Sequence, residues 1–411
     1  MATIREYFSE RKVQNFDGVM QEGKSEDTGS ENDDLRKKLW IHKAKKNFVL
    51  ILTIALVSIL AYQLFIRLYN KVYTGIEVEK SFEASGSDRK KYIQFGDNVL
   101  TYYKDGISCL DENGSSVWNQ SFEAEEIIYD ICKDYVVFAA KGGTTIYLVR
   151  KDGTKSNMEV SLPIRQLRVT EGGMTVALLE DENVFYMRYL SADGTLQAEG
   201  KIHMDDTGYP LDFDISNDGN IISFSYLYVS EGVLKSKLAF YNFGSVGQEE
   251  ENHIVKTISY NEEMFPRFAY LTDDVAVAFG NRKIIVFQGK QKPEPQKEIG
   301  LTKEIKSICY NEKYFGIVQK GDNSSAYLLT LYDLKGHQVL QKGFSIEYEE
   351  IVLEDDRILI FGGNQILIWK TNGDKKYEGS YPSEIEAVIS SKYLQKYTFF
   401  TQKTVDKIRL K

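Results

Sequence analysis

The chain has 411 residues, and its 51 Lys and Arg stand against 60 Asp and Glu, which gives a formal net charge of −9. Residues 67–411 alone carry 41 basic and 51 acidic side chains. Nucleic-acid binding depends on cationic contacts to phosphate, so this balance excludes nucleic acid as the expected partner. Six Pro and 31 Gly exclude fibrous classes. With 27 Tyr and 22 Phe, the chain is too aromatic to be mainly disordered.

One long apolar run, residues 47–66, contains 20 residues without a charge. At about 1.5 Å per residue, a helix of that length spans the roughly 30 Å hydrocarbon core of a bilayer. The 46 preceding residues and the lack of a small-x-small cleavage site favour a non-cleaved anchor over a secretory signal peptide. The sequence therefore predicts a single transmembrane helix over residues 47–66, in contact with lipid.

Basic residues flank this run unevenly. Only Arg67 and Lys71 follow it closely, whereas six cations precede it: Arg36, Lys37, Lys38, Lys43, Lys45 and Lys46. The positive-inside rule then predicts a cytoplasmic N-terminus and an extracytoplasmic C-terminal domain. Residues 21–34 are polar and acidic, so we expect the tail over residues 1–46 to be largely disordered. Residues 67–75 are expected to form a linker.

Residues 76–411 alternate short runs of Val, Ile, Tyr, Phe and Leu with turn residues, a pattern typical of β-strands. Hairpin turns with glycine recur at intervals of 37 to 50 residues, at Gly114, Gly153, Gly194, Gly244, Gly289, Gly336 and Gly373. A repeat of this length that contains several strands is typical of propeller blades. A β-sandwich or a solenoid is the alternative fold.

The two ends of this region predict how the propeller closes. The last unit supplies only three strands, at residues 387–389, 397–400 and 405–410, and an unpaired strand at 76–82 precedes the first unit. Pairing that strand with the C-terminal one would complete an eighth blade and remove two exposed edges. The sequence thus predicts an all-β propeller over residues 76–411, with eight blades favoured over seven.

Two segments carry a family resemblance. Residues 111–118 (DENGSSVW) look like the D-x-x-G-x-x-x-W turn of quinoprotein-like propeller repeats. Residues 214–224 (DISNDGNIISF) resemble the S-P-D-G strand–turn–strand of periplasmic and WD-type propellers, with Asn217 in place of proline. The layout is similar to an uncharacterised bacterial family of single-pass, membrane-anchored propellers. That resemblance implies architecture and location, and it carries no activity.

The sequence predicts no catalytic residue, metal site or cofactor. Nucleotide-binding, zinc-protease and serine-hydrolase motifs are absent, and the four His are scattered singly. Cys132 and Cys309 lie in equivalent apolar strands, so they are expected to fill the core. The start of a calcium loop at Asp214, Ser216 and Asp218 lacks the final glutamate and runs into a strand.

A candidate binding rim appears where one repeat unit ends and the next begins. Prolines there follow aromatic residues, and acidic residues lie nearby: Tyr209-Pro210, Phe265-Pro266, Tyr381-Pro382, Asp205, Asp206, Glu262 and Glu263. In a propeller these connections emerge on one face around the mouth of the channel, and loops on a rigid scaffold often bind partners. The alternative is that proline only stiffens the crossover loops.

These observations predict a non-enzymatic, membrane-anchored propeller that binds a protein or another envelope component. One alternative is a signalling receptor that couples binding outside to the cytoplasmic tail through oligomerisation. A third interpretation is an envelope enzyme of quinoprotein-like or glycan-acting type. A retained cofactor, or a pair of acids in the channel with perturbed titration, would favour the enzyme.

Overall fold

The computed structural model describes residues 29–84, 91–103, 105–391 and 395–411. The chain divides into two compact units, Met1–Tyr69 and Asn70–Lys411. In the first unit, one α-helix, α1, runs from Gly29 to Tyr69. Residues 1–28, which include most of the predicted tail, lie outside the described residues.

Helix α1 is longer than the sequence analysis predicted. Residues 29–46 were expected to be disordered, but they are helical and continuous with the apolar run. The reason is that no proline interrupts this stretch and that Leu, Lys and Ala, which favour helices, dominate residues 35–46. Within the described residues, one helical stretch is long and apolar enough to cross a membrane, namely Trp40–Arg67, with a mean hydropathy of 2.5. Its apolar side chains are exposed.

The second unit consists of eight antiparallel four-stranded sheets. Its first strand is β1 (Ile76–Glu83). Blades 1 to 4 are formed by β2–β5 (Lys91–Phe95, Asn98–Tyr103, Gly106–Leu110, Ser116–Ser121), β6–β9 (Ile127–Cys132, Tyr135–Ala140, Thr145–Arg150, Lys155–Glu159), β10–β13 (Ile164–Val169, Thr175–Asp181, Val184–Leu190, Leu196–His203) and β14–β17 (Tyr209–Ile215, Ile221–Ser230, Val233–Asn242, Ile254–Asn261).

Four more sheets complete the unit. Blades 5 to 7 are formed by β18–β21 (Arg267–Tyr270, Val275–Phe279, Lys283–Gln288, Glu294–Gly300), β22–β25 (Ile305–Tyr310, Tyr314–Lys320, Tyr327–Asp333, Gln338–Phe344) and β26–β29 (Glu350–Glu354, Arg357–Gly362, Gln365–Lys370, Lys375–Ser380). Blade 8 combines β30–β32 (Ala387–Ser390, Lys396–Phe400, Thr404–Leu410) with β1. Short helices interrupt blades 3 and 4: α2 (Met204–Thr207) and two 3₁₀ turns (Gly247–Glu249, Glu251–His253).

Hydrophobic packing shows that the eight sheets form a closed ring. The buried apolar residues divide into eight clusters, and each cluster joins two consecutive blades. One of them joins blade 8 to blade 1 through Phe400, Val405, Tyr92 and Val99. The first strand of each blade is innermost, because neighbouring blades meet through these strands. The predicted eight-bladed, all-β propeller is therefore confirmed, and each of the seven glycines lies between a third and a fourth strand.

Ring closure occurs as the sequence predicted. Strand β1 pairs antiparallel with β32, from Ile76 opposite Leu410 to Glu83 opposite Thr404. A bulge between Val78 and Lys80 interrupts this ladder. Strand β1, from the beginning of the unit, thereby covers the edge of β32 and becomes the outer strand of the last sheet.

Residues 70–75 were expected to belong to a linker, but they are bonded to the propeller. The Tyr73 N–H donates to Lys376 O at 2.8 Å, and the Gly75 and Lys411 backbones bond to each other. The tyrosine side chain is buried between blades 7 and 8. The apolar Tyr73 ring explains this docking, since it gains a core position that a solvated linker would not give.

The strand order defines two faces. The face on which β1 begins, at Ile76, also carries the turns between third and fourth strands, and we call it the tether face. The opposite face carries the connections from each fourth strand to the next blade, together with the turns between second and third strands. We call it the rim face.

Ile408 and Val78 lie opposite each other in the closing ladder, and they test its contribution to stability. Ile408 is buried and Val78 is 46% exposed. We expect Ile408→Ala to lower the free energy of unfolding by about 2–5 kcal/mol, because it leaves a cavity between blades 7 and 8. Val78→Ala should lower it by less than about 1 kcal/mol. Denaturant unfolding of the full chain measures both, and equal small losses would show that blade 8 is not part of the cooperative unit.

Candidate functional site

The ten residues of the predicted rim lie at three connections on the rim face, between β13 and β14, β17 and β18, and β29 and β30. Asp205 and Asp206 are exposed on α2. Tyr209 and Pro210 begin β14, and Pro210 is buried there, so it does not belong to an exposed rim. Three further rim residues are exposed, namely Glu262, Pro266 and Pro382. The structure thus keeps part of the predicted set on the surface.

Phe265 and Glu263 do not belong to a surface rim. Phe265 is fully buried in the core between blades 4 and 5, and Glu263 is 2% exposed. A Glu263 carboxylate oxygen accepts the backbone N–H of Arg282 at 2.9 Å, and Ser225 Oγ donates to Phe265 O at 2.7 Å. The prediction that these two residues lie on an exposed rim is therefore wrong, because the crossover turns their side chains into the gap between blades.

Tyr381 is also a core residue. It is 6% exposed and packs between blades 7 and 8, and its hydroxyl donates to Asp406 Oδ2 at 2.6 Å. Burial and the neighbouring carboxylate both raise the pKa of Tyr381. Tyr209 is partly buried, with its ring edge-on to Phe185 at 5.4 Å. Of the three rim aromatics, none is freely exposed.

The most prominent feature of the rim face is a hairpin that sequence analysis missed. Strands β15 and β16 have ten residues each, whereas the second and third strands of the other blades have five to seven. Glu231 and Gly232 form the two-residue turn, both at positive φ. Pairing with β14 ends at Leu227, so residues 228–234, the hairpin tip, extend beyond the rest of the sheet on that side.

The hairpin tip is apolar and is flanked by carboxylates. Val229 and Leu234 form a cross-strand pair and are 70% and 41% exposed, and Val233 is also exposed. Exposed acids on the same face are Glu231 in the turn, Glu262, whose backbone N–H donates to Leu234 O at 2.8 Å, and Asp205 and Asp206 on α2. The sequence did contain a signal, because two ten-residue β-runs flank a single Glu-Gly turn at residues 231–232.

A second feature of the propeller is a polar network on the inner strands, around Arg168 of β10. Its guanidinium donates to Asp212 Oδ1 at 2.7 Å, and its Nε lies 3.3 Å from Asp214 Oδ1. Arg168 also donates to Leu167 O at 2.8 Å and lies 5.3 Å from the centre of the Phe213 ring. The buried Arg168 guanidinium is therefore in contact with two carboxylates, a backbone carbonyl and an aromatic ring.

The surrounding carboxylates join the inner strands of blades 2 to 5. Asp130 Oδ2 on β6 accepts the N–H of Val169 at 2.8 Å. Asp212 Oδ2 and Asp214 Oδ2 on β14 accept the N–H groups of Phe268 and Tyr270 on β18, at 2.9 and 2.7 Å. Each carboxylate thus satisfies a backbone donor of the next blade, as buried polar groups require.

Burial and mutual repulsion control the titration of this network. Burial raises the pKa values of Asp130 and Asp214, although Arg168 opposes the shift, and the two carboxylates also repel each other. For Arg168, burial lowers the pKa, but the attraction of the three carboxylates outweighs it and the net shift is upward. Burial also raises the pKa of Tyr129, and the charge of Glu350 on blade 7 adds to the effect.

No metal site accompanies these carboxylates in the part of the chain that the structure describes, where no group of three or more His, Cys, Asp or Glu has the arrangement to hold an ion. The sequence analysis missed the network because its partners lie on separate repeat units. The available signal was a pair of charged residues, Asp212 and Asp214, two positions apart in an apolar strand.

Comparison with known proteins places the propeller in a family. The model of a family of unknown function, DUF5711, matches residues 69–410. The chain belongs to this family. The matched region corresponds closely to the propeller unit and leaves out nearly all of α1. None of the curated proteins compared with the chain matches it.

Solved structures resemble the propeller at low sequence identity. A eukaryotic initiation factor is 13% identical, with a TM-score of 0.51 over 81% of this chain and 87% of that one. BamB from Moraxella catarrhalis is 9% identical, with a TM-score of 0.49 over 82% of this chain and 100% of that one. Apo AztD from Citrobacter koseri is 10% identical, with a TM-score of 0.49 over 72% and 87%. At these identities the likeness extends to the fold alone.

Removal of the Arg168 guanidinium tests the structural role of the inner-strand network in this DUF5711 protein. We expect Arg168→Met to lower the free energy of unfolding by roughly 3–5 kcal/mol, because the buried Asp212 and the partly buried Asp130 and Asp214 lose their shared cation. The loss should be larger at pH 8 than at pH 5. Without the cation the folded-state pKa values of Asp130 and Asp214 rise further, and the stability present at low pH is lost as pH rises through them.

Arg150→Met provides the control, because Arg150 is exposed and makes only a surface pair with Asp152 at 3.4 Å. It should change stability by less than about 1 kcal/mol, with little pH dependence. Denaturant unfolding at the two pH values measures both variants. An Arg168→Met protein as stable as wild type at pH 8 would contradict a structural role for the network.

Proposed function

We propose that the protein is a membrane-anchored, extracytoplasmic binding module, without enzymatic activity, that captures a protein partner through the hairpin tip. The observation that carries the proposal is the apolar cross-strand pair of Val229 and Leu234, exposed on a hairpin that extends past its neighbours. Exposed apolar side chains clustered on a rigid support are typical of protein-binding sites.

Two features support an anchored arrangement. The stretch Trp40–Arg67 is long enough to span a bilayer, and cations concentrate on its N-terminal side. The chain enters the propeller at Ile76 on the tether face, and the hairpin tip lies on the opposite face. The proposed location is the bacterial cell membrane, which the sequence resemblance implies.

Charge and shape indicate the chemistry of the partner. The tip is a protrusion, so its partner needs an apolar pocket to receive Val229 and Leu234. Exposed acids lie in the turn, at Glu231, and beside it, at Glu262, whose backbone N–H donates to Leu234 O, and they favour a pocket bordered by Lys or Arg. Such complementarity speeds the encounter and selects the partner, while the buried apolar pair contributes most of the affinity.

The second candidate function is that of an enzyme. The observation in its favour is that Asp130 and Asp214, on the inner strands, have raised pKa values. Their bonding supports a structural role instead. Each carboxylate accepts a backbone N–H of the next blade, and the two on β14 also contact Arg168. A catalytic acid needs a free oxygen directed at substrate, whereas both oxygens of Asp214 and Oδ2 of Asp130 already have protein partners.

Substitutions at the hairpin tip test the binding role. The double change Val229→Asp and Leu234→Asp should abolish capture of the partner by a photo-crosslinking residue placed at Val233, because both apolar anchors are lost. Stability should change by less than about 1 kcal/mol, since both positions are exposed. Crosslinking is measured in intact cells.

Val339→Asp is the matched control. Val339 is 45% exposed on β25 of blade 6, away from the hairpin. This variant should give the same crosslinked adduct as wild type. An adduct that survives the double change at the tip would contradict the proposal.

Thiol labelling tests the orientation. A membrane-impermeant maleimide should label Val229→Cys in intact cells, and it should label Lys37→Cys only after the cells are permeabilised. Background from the native thiols should be low, because burial raises the pKa values of Cys109 to about 11 and of Cys132 and Cys309 to about 12. The reverse labelling pattern would overturn the extracytoplasmic assignment.

A further inference from the structure

A cleft of about 600 Å³ opens between blades 3 and 4, apart from both the hairpin tip and the inner-strand network. Met187 and Gly200 line it on blade 3, and Phe224 and Tyr241 line it on blade 4. The glycine leaves room, since a Cβ there would meet only Met187, at 3.5 Å. The volume lies in the range of sites that hold drug-sized ligands.

An enlarged loop forms the outer wall of this cleft. The connection between β16 and β17 covers residues 243–253, eleven residues, whereas the corresponding connections of blades 1 to 3 and 5 to 7 have four or five. The loop turns tightly at Gly247, where a Cβ would lie 1.7 Å from Asn242 O. Asn252 and His253 adopt φ values of +54° and +62°, which cost energy for residues other than glycine.

The strained histidine is fixed by two contacts. Its ring stacks on Phe243 with 5.1 Å between centroids, and its Nδ1 lies 3.0 Å from Gly247 O. A carbonyl only accepts, so Nδ1 carries the proton, and in the neutral ring Nε2 is left as an acceptor. The loop therefore offers the Phe243 ring as an aromatic surface and, in the neutral His253 ring, Nε2 as a hydrogen-bond acceptor.

The two charged side chains that line the cleft, Glu199 and Lys201, already have partners in the protein. Glu199 forms an ion pair with Arg188. The Lys201 ammonium lies over the Tyr186 ring, 5.5 Å from its centroid. Because Glu199 is paired and the Lys201 ammonium is held against an aromatic ring, neutral groups are the contacts that remain for a ligand.

Neutral polar groups are available instead. The hydroxyl of the partly exposed Tyr241 shares one hydrogen bond with that of the fully buried Tyr226, at 3.0 Å, which leaves Tyr241 with further donor or acceptor capacity. Strand β13 has a partner on one side only, so part of its backbone also faces outward. Aromatic rings beside neutral donors and acceptors match the C–H faces and hydroxyls of a sugar.

We propose that this cleft binds a neutral disaccharide. One sugar ring packs against Phe243 and Tyr241, and a hydroxyl donates to Nε2 of His253. Gly200 provides the space for the second ring. This site is independent of the protein partner proposed for the hairpin tip, because the two surfaces share no residue.

Saturation-transfer NMR on the full chain in lipid nanodiscs tests the proposal, with chitobiose, cellobiose and maltose as probes. Nanodiscs are needed because glucoside and maltoside detergents would supply a competing sugar. We expect transfer to the ring protons of at least one probe, and calorimetry then gives its affinity. Gly200→Trp, which fills the cleft, should weaken binding at least tenfold. Gly200→Ala should stay within twofold of wild type, because its methyl group meets only Met187.

Phe243→Leu removes the platform and keeps an apolar side chain, and it should also weaken binding at least tenfold. Thermal unfolding of each variant shows whether the fold is retained. Lack of transfer to all three disaccharides in the wild type would overturn the proposal, and so would unchanged binding by a folded Gly200→Trp protein. Transfer to N-acetylphenylalanine amide that the disaccharides do not displace would assign the cleft to an apolar side chain instead.

Discussion

The closing blade is the constraint on which the ring depends, and a buried carboxylate lies at its centre. Asp406 on β32 is 4% exposed. It accepts hydrogen bonds from Ser81 Oγ on β1 at 2.5 Å, from Tyr381 OH at 2.6 Å and from Thr404 Oγ1 at 2.7 Å. Because an unsatisfied buried carboxylate is costly, the three donors must be in place together. Closure therefore joins the beginning of the propeller, the crossover from blade 7 and the C-terminal strand in one cooperative step.

Each blade contributes one face to each of two neighbouring cores, so the propeller has eight interblade cores rather than a single central one. The inner strands of eight blades leave backbone N–H groups around the axis that apolar side chains cannot satisfy. Asp130 meets this need between blades 2 and 3, Asp212 and Asp214 meet it between blades 4 and 5, and Arg168 balances their charge. The polar network thus joins neighbouring blades at their inner strands, as the apolar clusters join them farther from the axis.

The repeat architecture could be predicted from sequence because its signals are local. Glycine turns mark each blade, and the unpaired strand at residues 76–82 indicates the closure. The direction of a side chain at a crossover is not local. Phe265 and Tyr381 precede prolines as a surface loop would suggest, yet the crossover turns both rings into interblade cores. The pairing of Arg168 with Asp212 was equally inaccessible, because it arises only when blades 3 and 4 stand side by side.

The number of strands that each end of the chain contributes to blade 8 determines which face of the propeller is opposite the point where the chain enters. Three strands from the C-terminus and one from the N-terminus form blade 8, so β1 is a fourth strand and begins on the tether face. Had the C-terminus supplied all four strands, the chain would enter the propeller as a first strand, on the rim face. The hairpin of β15 and β16 would then share a face with the incoming chain, whereas in this topology it lies on the opposite one. A single shared strand thus closes the ring and also leaves the longest hairpin clear of the point where the chain arrives.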